Sequence, residues 1–315
     1  MCLPPKTGFI LEGGSMVSVI IPTYNRKSTI LRAINSVLNQ SYQDLEIIVV
    51  DDASTDDSFE IITGLANERV RCIKLDNHSG ACVARNRGVE EAKGEFIAFQ
   101  DSDDEWFSDK LEKQFEKMMS NNADICVCKL ITVGKRKSVV FPDLNREGYI
   151  TNKDIYSRTL ISTQCILAKR EVFDDVRFDP QIYRWQDYDW SIRAISKYSV
   201  YFVNEILVRA YPSSNSLTSS GPRQVVEVNR LFLAKYRELC NENKDLEASI
   251  HRNIGYFKTI CKDRDAHESY IKEFMLSPGW KALARLCLSR LNLLYWVYSI
   301  IGKLPIDEYV RDRDV

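Results

Sequence analysis

Residues 17–53 read "VSVIIPTYNRKSTILRAINSVLNQSYQDLEIIVVDDA", and a switch of period inside this stretch separates strand from helix. The β-branched run 17–24 predicts a strand. Residues 28–40 then place Ile30, Leu31, Ile34, Val37 and Leu38 on one helical face, with Ser28 as the N-cap, and 45–53 predicts the next strand. The same alternation continues outward. "STDDSFEIITGLAN" (54–67) predicts a helix opened by Ser54, "VRCIKLD" (70–76) a strand, and "GACVARNRGVEEAKG" (80–94) a helix closed by Gly94. "EFIAFQ" (95–100) predicts a fourth strand. Four strand–helix alternations imply a mostly parallel sheet with helices on both faces, because right-handed crossovers place them there.

Ligands of such sheets bind beyond the carboxyl ends of the strands. Each of the four strands delivers polar residues there: 23–26, then Asp51 and Asp52, then 76–78, then Asp101, Asp103 and Asp104. Turn chemistry alone is a poor account of four such clusters at one edge. The last cluster packs three carboxylates into four positions, and their mutual repulsion calls for a compensating cation. Carboxylate oxygens are hard ligands suited to magnesium, manganese or calcium. "DSDDEWFSDKLE" (101–112) lacks the central glycine of an EF-hand, so two carboxylates holding a divalent ion against substrate phosphates fit better. Taken alone, the cluster reads equally well as an acidic turn at a helix N-terminus.

"VSVIIPTYNR", "IIVVDDASTDDS" and "NHSGACVARNRGVEEAKGEFIAFQDSDDEW" together resemble, in order and spacing, the front half of family 2 glycosyltransferases. The resemblance covers about Val17 to Trp106 and continues more weakly to about Thr218. It implies the GT-A fold, a Rossmann-like, mostly parallel α/β sheet flanked by helices. It also implies inverting transfer of a sugar from a nucleotide diphosphate donor, most often UDP-linked, with Mn2+ or Mg2+. Carried over, Pro22 and Tyr24 line the nucleobase and ribose, Asp52 reads the uracil edge, and Arg85 lies near base and phosphates. Asp101 and Asp103 form the DxD motif, with Asp101 facing ribose or metal and Asp103 the better direct metal ligand. Asp104 is a weaker candidate.

Inversion needs a base to take the acceptor hydroxyl's proton. "YRWQDYDWSIRA" (183–194) resembles the family's "EDYDLWLR" segment and gives that role to Asp187, with Asp189 as runner-up. Gln186 stands where the family has glutamate, which removes a charge beside the base. Trp185 is either an apolar platform for the acceptor sugar or simple packing. Many relatives carry a histidine after the final strand, whereas "YPSSNSLTSS" (211–220) offers only serine, threonine and asparagine, so water is expected to replace a third metal ligand.

Beyond residue 108 the sequence predicts an amphipathic helix (108–122), the strand "ADICVCKL" with Cys126 and Cys128 on one face, a hairpin strand within "VGKRKSVVFP" (133–142), a helix around 187–198 and a strand at 200–211. The expected organisation is an N-terminal arm (1–15), a transferase domain (16–220, with a nucleotide-binding half 16–106 and an acceptor half 107–220) and a helical C-terminal region (221–315). Near residues 279–303, Lys281, Arg285, Ser289, Asn292, Trp296, Ser299 and Lys303 trace a narrow stripe opposite a broad apolar face. That pattern suits either a peripheral membrane contact or docking on the protein's own core or on a partner subunit. The membrane reading, with the family resemblance, points to a glycan or lipid-linked glycan acceptor at the cytoplasmic side of the cell membrane, in cell-surface polysaccharide or O-antigen synthesis.

A net charge of -1 gives no general attraction to nucleic acid. Nine cysteines without a CxxC pair suggest reduced thiols and a cytoplasmic setting. No segment nears the ~20 apolar residues of a membrane span. The missing GxGxxG argues against a dehydrogenase. Pairing Asp103 with Asp187 in a glycoside hydrolase would leave the nucleotide-like segments without a role. A non-catalytic sugar-nucleotide binder or scaffold is the remaining alternative.

Overall fold

A computed structural model describes residues 15–134, 138–157, 159–212 and 221–300. The expected arm at 1–14, most of the serine-rich segment (213–220) and Lys303 lie outside the described residues. In chain order the strands are β1 (Val17–Thr23), β2 (Leu45–Asp51), β3 (Val70–Lys74), β4 (Phe96–Phe99), β5 (Glu105–Trp106), β6 (Ile125–Val133), β7 (Ser138–Phe141), β8 (Gly148–Ile150), β9 (Ile166–Lys169) and β10 (Val200–Ala210). The helices up to the end of the sheet are α1 (Ile30–Leu38), α2 (Ser58–Thr63), α3 (Ala81–Glu91), α4 (Lys110–Ser120), α5 (Asn152–Ser157), α6 (Arg170–Asp175) and α7 (Gln186–Ile195). After it come α8 (Pro222–Lys235), α9 (Arg237–Glu242), α10 (Lys244–Ile260), α11 (Ala266–Leu276), α12 (Trp280–Arg290) and α13 (Leu294–Ile300).

The chain divides into two compact units, the first made of residues 1–149, 162–178 and 198–211, the second of 150–161, 179–197 and 212–315. In the first unit the sheet runs β3-β2-β1-β4-β9-β6-β10-β5. β1 pairs in parallel with β2 and β4, and β2 with β3, as the alternation predicts. β9 enters antiparallel between β4 and β6, and the two-residue β5 closes one end antiparallel to β10. Val17, Val19 and Ile21 of β1 pack with Ile30, Ile34 and Val37 of α1, and Cys126 and Cys128 share that core. On the other face Ile20 meets α3 at Gly88, where a Cβ would fall 2.4 Å from the Ile20 Cγ2. Only glycine permits that approach.

Three expected helix boundaries differ, each for a long-range reason. α1 starts at Ile30 with no side-chain cap, because the Arg26 carbonyl accepts the Thr29 and Ile30 N–H groups. Its buried face includes Ala33 instead of Leu31, which is exposed. Ser54 does not open α2; its hydroxyl accepts the Asn25 N–H at 2.9 Å, and α2 begins four residues later. Gly94 does not close α3, which ends at Glu91. A Cβ at Gly94 would lie 2.5 Å from the Met16 carbonyl oxygen, so this glycine serves chain approach at the start of β1.

The second unit is helical. Tyr188 and Trp190 of α7 are buried, with Tyr188 stacked on Phe232 of α8 at 5.8 Å between ring centroids. The amphipathic C-terminal segment is not one helix. It breaks between α12 and α13, where Asn292 adopts a left-handed φ of 56°. Arg285, expected on the polar stripe, instead donates from Nε to buried Glu273 at 3.0 Å. Trp280, Leu283, Leu291 and Trp296 remain exposed.

Candidate active site

The polar residues at the strand ends of the first unit are tied to one another. Immediately after β1 and β2, Asn25 (φ 52°) and Ala53 (φ 59°) take the left-handed conformation, unusual for residues other than glycine. The Asn25 side-chain oxygen accepts the Thr55 N–H at 2.8 Å, and the Arg26 N–H donates to the Ser58 hydroxyl at 2.8 Å. These bonds lace the loop after β1 to the loop after β2. Pro22 sits within β1 opposite Val50.

Asp52 is almost fully buried. Its carboxylate accepts the N–H groups of Ser79 (2.7 Å) and Gly80 (2.8 Å) at the start of α3, a favourable place for negative charge. His78 Nδ1 lies 2.8 Å from the same carboxylate, and its ring stacks on Tyr24 with centroids 3.9 Å apart. Tyr24, Asp52 and His78 thus meet, although they come from the ends of three strands.

The acidic loop after β4 is held by arginines. Arg85, buried in α3, donates to Asp101 at 3.1 Å, and Arg26 approaches Asp103 at 3.5 Å. Arg32 of α1 donates to the Asp103 carbonyl and lies over the Tyr211 ring at 4.0 Å. Asp104 is buried, accepting from Gln164 (3.0 Å) and the Tyr211 N–H (2.9 Å). Burial first, then the charges of Asp101 and Asp103, push its carboxyl up to about 8. With its two carboxyl oxygens already taken by Gln164 and the Tyr211 N–H, Asp104 has less to offer a cation than Asp101 and Asp103. Among the described residues no group of three or more His, Cys, Asp or Glu side chains is placed to hold a metal ion. Two carboxylates are what a divalent ion needs when phosphates supply the remaining oxygens.

Sequence reasoning singled out Arg85 but missed Arg26, Arg32 and His78 as individual participants. Their signal is positional: Arg26 and His78 lie in the segments that follow β1 and β3. The mutual repulsion of the acidic cluster is therefore partly compensated within the chain, since Asp101 and Asp103 each have an arginine partner.

In the second unit, Asp187 lies in the first turn of α7, half-buried, with Oδ1 accepting the Tyr188 N–H at 2.8 Å. Gln186 is buried and donates to the Tyr183 carbonyl at 3.2 Å. Asp189 is fully buried and gripped by Arg193, Lys235 and the Tyr236 hydroxyl, each at 2.6 Å. It serves this helix packing. Trp185 packs against Tyr188, Phe232 and Phe257.

Residues 18–177 match the profile described as "Glycosyl transferase family 2". The chain belongs to that family. The "Putative teichuronic acid biosynthesis glycosyltransferase TuaG" of Bacillus subtilis (strain 168) is 33% identical over 208 residues, which cover 65% of this chain and 82% of that one. A GalNAc(5)-diNAcBac-PP-undecaprenol beta-1,3-glucosyltransferase from Campylobacter jejuni is 27% identical over 287 residues, covering 87% and 93%. Among solved structures, S. aureus TarS (1-349) in complex with UDP-GlcNAc superposes with a TM-score of 0.67 at 21% identity, covering 91% of this chain and 92% of that one. The family 2 protein described here is thus a glycosyltransferase with the GT-A fold.

Proposed function

We propose that the protein is an inverting transferase that moves a sugar from a nucleotide diphosphate donor, UDP-hexose or UDP-N-acetylhexosamine, to a hydroxyl of a glycan acceptor. The observation carrying this reading is the end of β4, where Asp101 and Asp103 each face an arginine while Asp52, Tyr24 and His78 gather at the neighbouring strand ends. Tyr24 supplies a ring for the base, Pro22 borders it, and Asp52 supplies an acceptor for a ring N–H. Arg85 and Arg26 supply positive charge for phosphate oxygens, and the TarS complex with UDP-GlcNAc supports this class of donor.

Mn2+ or Mg2+ would be held by Asp103 and Asp101. When bound it supplies Lewis-acid stabilisation of the charge that develops on the leaving diphosphate. Asp187 is assigned the acceptor proton. Gln186 beside it is neutral, so the base lacks the neighbouring negative charge that the family's glutamate would give.

Two variants test these roles. Asp103→Ala is expected to abolish metal-dependent binding of UDP-sugars in calorimetry. Asp187→Asn is expected to keep donor binding and lower turnover by about 10²- to 10⁴-fold. Equal loss of donor binding in both would contradict the separation of roles.

The acceptor is proposed to be a lipid-linked glycan of cell-surface polysaccharide synthesis at the cytoplasmic side of the membrane; the undecaprenol-linked substrate named for the Campylobacter relative supports the lipid linkage, and the teichuronic acid relative supports the polysaccharide role. Peripheral contact is assigned to residues 279–303, where Trp280 and Trp296 are exposed beside Lys281 and Arg290. No helix of the described residues is long and apolar enough to cross a membrane. Deleting residues 279–315 is expected to abolish flotation with anionic vesicles; unchanged flotation would end the membrane assignment.

A further inference from the structure

The first unit holds a cavity of about 460 Å3 lined by Arg32, Asn35 and Asn39 on one side and by Glu105, Trp106 and Arg209 on the other. Its size lies within the roughly 300–1,000 Å3 of small-molecule sites. Asp52, Arg85, Asp101 and Asp103 do not line it, although Arg32, which does, also donates to the Asp103 carbonyl, so the cavity lies next to the proposed donor site without sharing those residues. Arg32, Asn35 and Asn39 follow the spacing that brings side chains onto one side of α1.

Its polar groups are unevenly satisfied. Glu105 is already engaged, accepting from Arg209 at 3.0 Å and from the Tyr211 hydroxyl at 2.9 Å. Two guanidinium groups against one carboxylate leave a positive surplus. Trp106 is 3% exposed, yet its indole Nε1–H has no hydrogen-bond partner, and Arg32 Nε–H likewise has none. Buried donors without acceptors are costly and uncommon. Both of these atoms are closed to solvent, so what a ligand in the cavity meets is the positive charge of the two guanidinium groups, which suits an acceptor-rich anion. Asn35 and Asn39 are exposed at its mouth, and their amides can both give and accept hydrogen bonds, which suits hydroxyl groups.

We propose that this cavity binds a sugar unit bearing an oxyanion, a carboxylate or a phosphate. The oxyanion meets the guanidinium groups of Arg209 and Arg32, while ring hydroxyls meet the two asparagines. The site is independent of the donor assignment, because its ligand is neither a nucleotide nor metal-bound.

Ligand-observed NMR without metal or donor tests it, using glucuronate, glucose 6-phosphate, glucose and inorganic phosphate as probes. Millimolar binding of glucuronate or glucose 6-phosphate is expected, at least tenfold tighter than glucose or phosphate; the tighter of the two identifies the oxyanion. Arg209→Met is expected to weaken that binding at least tenfold, and Asn39→Trp to abolish it by filling the mouth. Asn35→Leu, at another exposed position, provides a second variant if either fails to fold. Arg32 is left intact because it also holds the Asp103 carbonyl. Equal binding of all probes, binding of none, or binding that survives a folded Asn39→Trp or Asn35→Leu variant would overturn the proposal.

Discussion

Lys110 is a residue whose place is set by burial against its own chemistry. It opens α4 fully enclosed, with its ammonium 3.8 Å from the Trp106 ring centroid and no hydrogen-bond partner. The ring face favours the cation, but loss of water outweighs it and lowers the lysine from its ordinary 10.5. Replacing it by a neutral side chain of similar length removes that cost. Lys110→Met is expected to stabilise the protein by about 1–3 kcal/mol at neutral pH. The unfolded chain binds this proton more tightly than the folded one, so the wild type gains stability as pH rises from the lowered value toward 10.5. The advantage of the variant should therefore shrink in urea titrations at pH 10 relative to pH 7. A constant advantage would mean that the lysine keeps its charge. Nothing in "SDKLEKQFEKMM" announces this burial, since Lys110 occupies an ordinary first-turn position.

At the level of elements, the strands and α1 were legible because their apolar periods are strong and local. Helix starts were less so: Ser54 looks like a cap, but Asn25, 29 residues earlier, claims its hydroxyl. The site shows the same division. The acidic cluster at 101–104 could be read from its spacing, and Asp101 and Asp103 within it from the family resemblance, whereas the Arg26 contact with Asp103 bridges 77 residues and leaves no local signal. A similar long-range tie anchors the start of β6. Asp124 accepts from Lys169 (2.7 Å) and from the Ser199 hydroxyl (2.7 Å) and N–H (3.0 Å). Burial opposes the charge, but these donors together hold the carboxyl below its usual 3.8. Its contribution is present above 3.8 and lost as pH falls through the lower folded-state value. Asp124→Asn is expected to cost about 1–2 kcal/mol at pH 7, with the difference from wild type shrinking in acid unfolding below that point.

For the molecule as a whole, the second unit draws its residues from three separate stretches. α7 depends on partners that follow it in the chain: Phe232 stacks on Tyr188, while Lys235 and Tyr236 engage Asp189. A chain ending at residue 220 is therefore expected to lose the cooperative urea transition of α7, with Asp189 keeping only Arg193 of its three partners. Retention of a single sharp transition would show that α7 is held without α8. The arrangement also sets an order of events on the ribosome. The sheet's last strand has emerged by residue 210, but the aromatic and basic grips on α7 are synthesised only after residue 230. At roughly 5–20 residues per second, the growing chain passes a second or more with the strands of its sheet complete and the helix bearing Asp187 still unclasped.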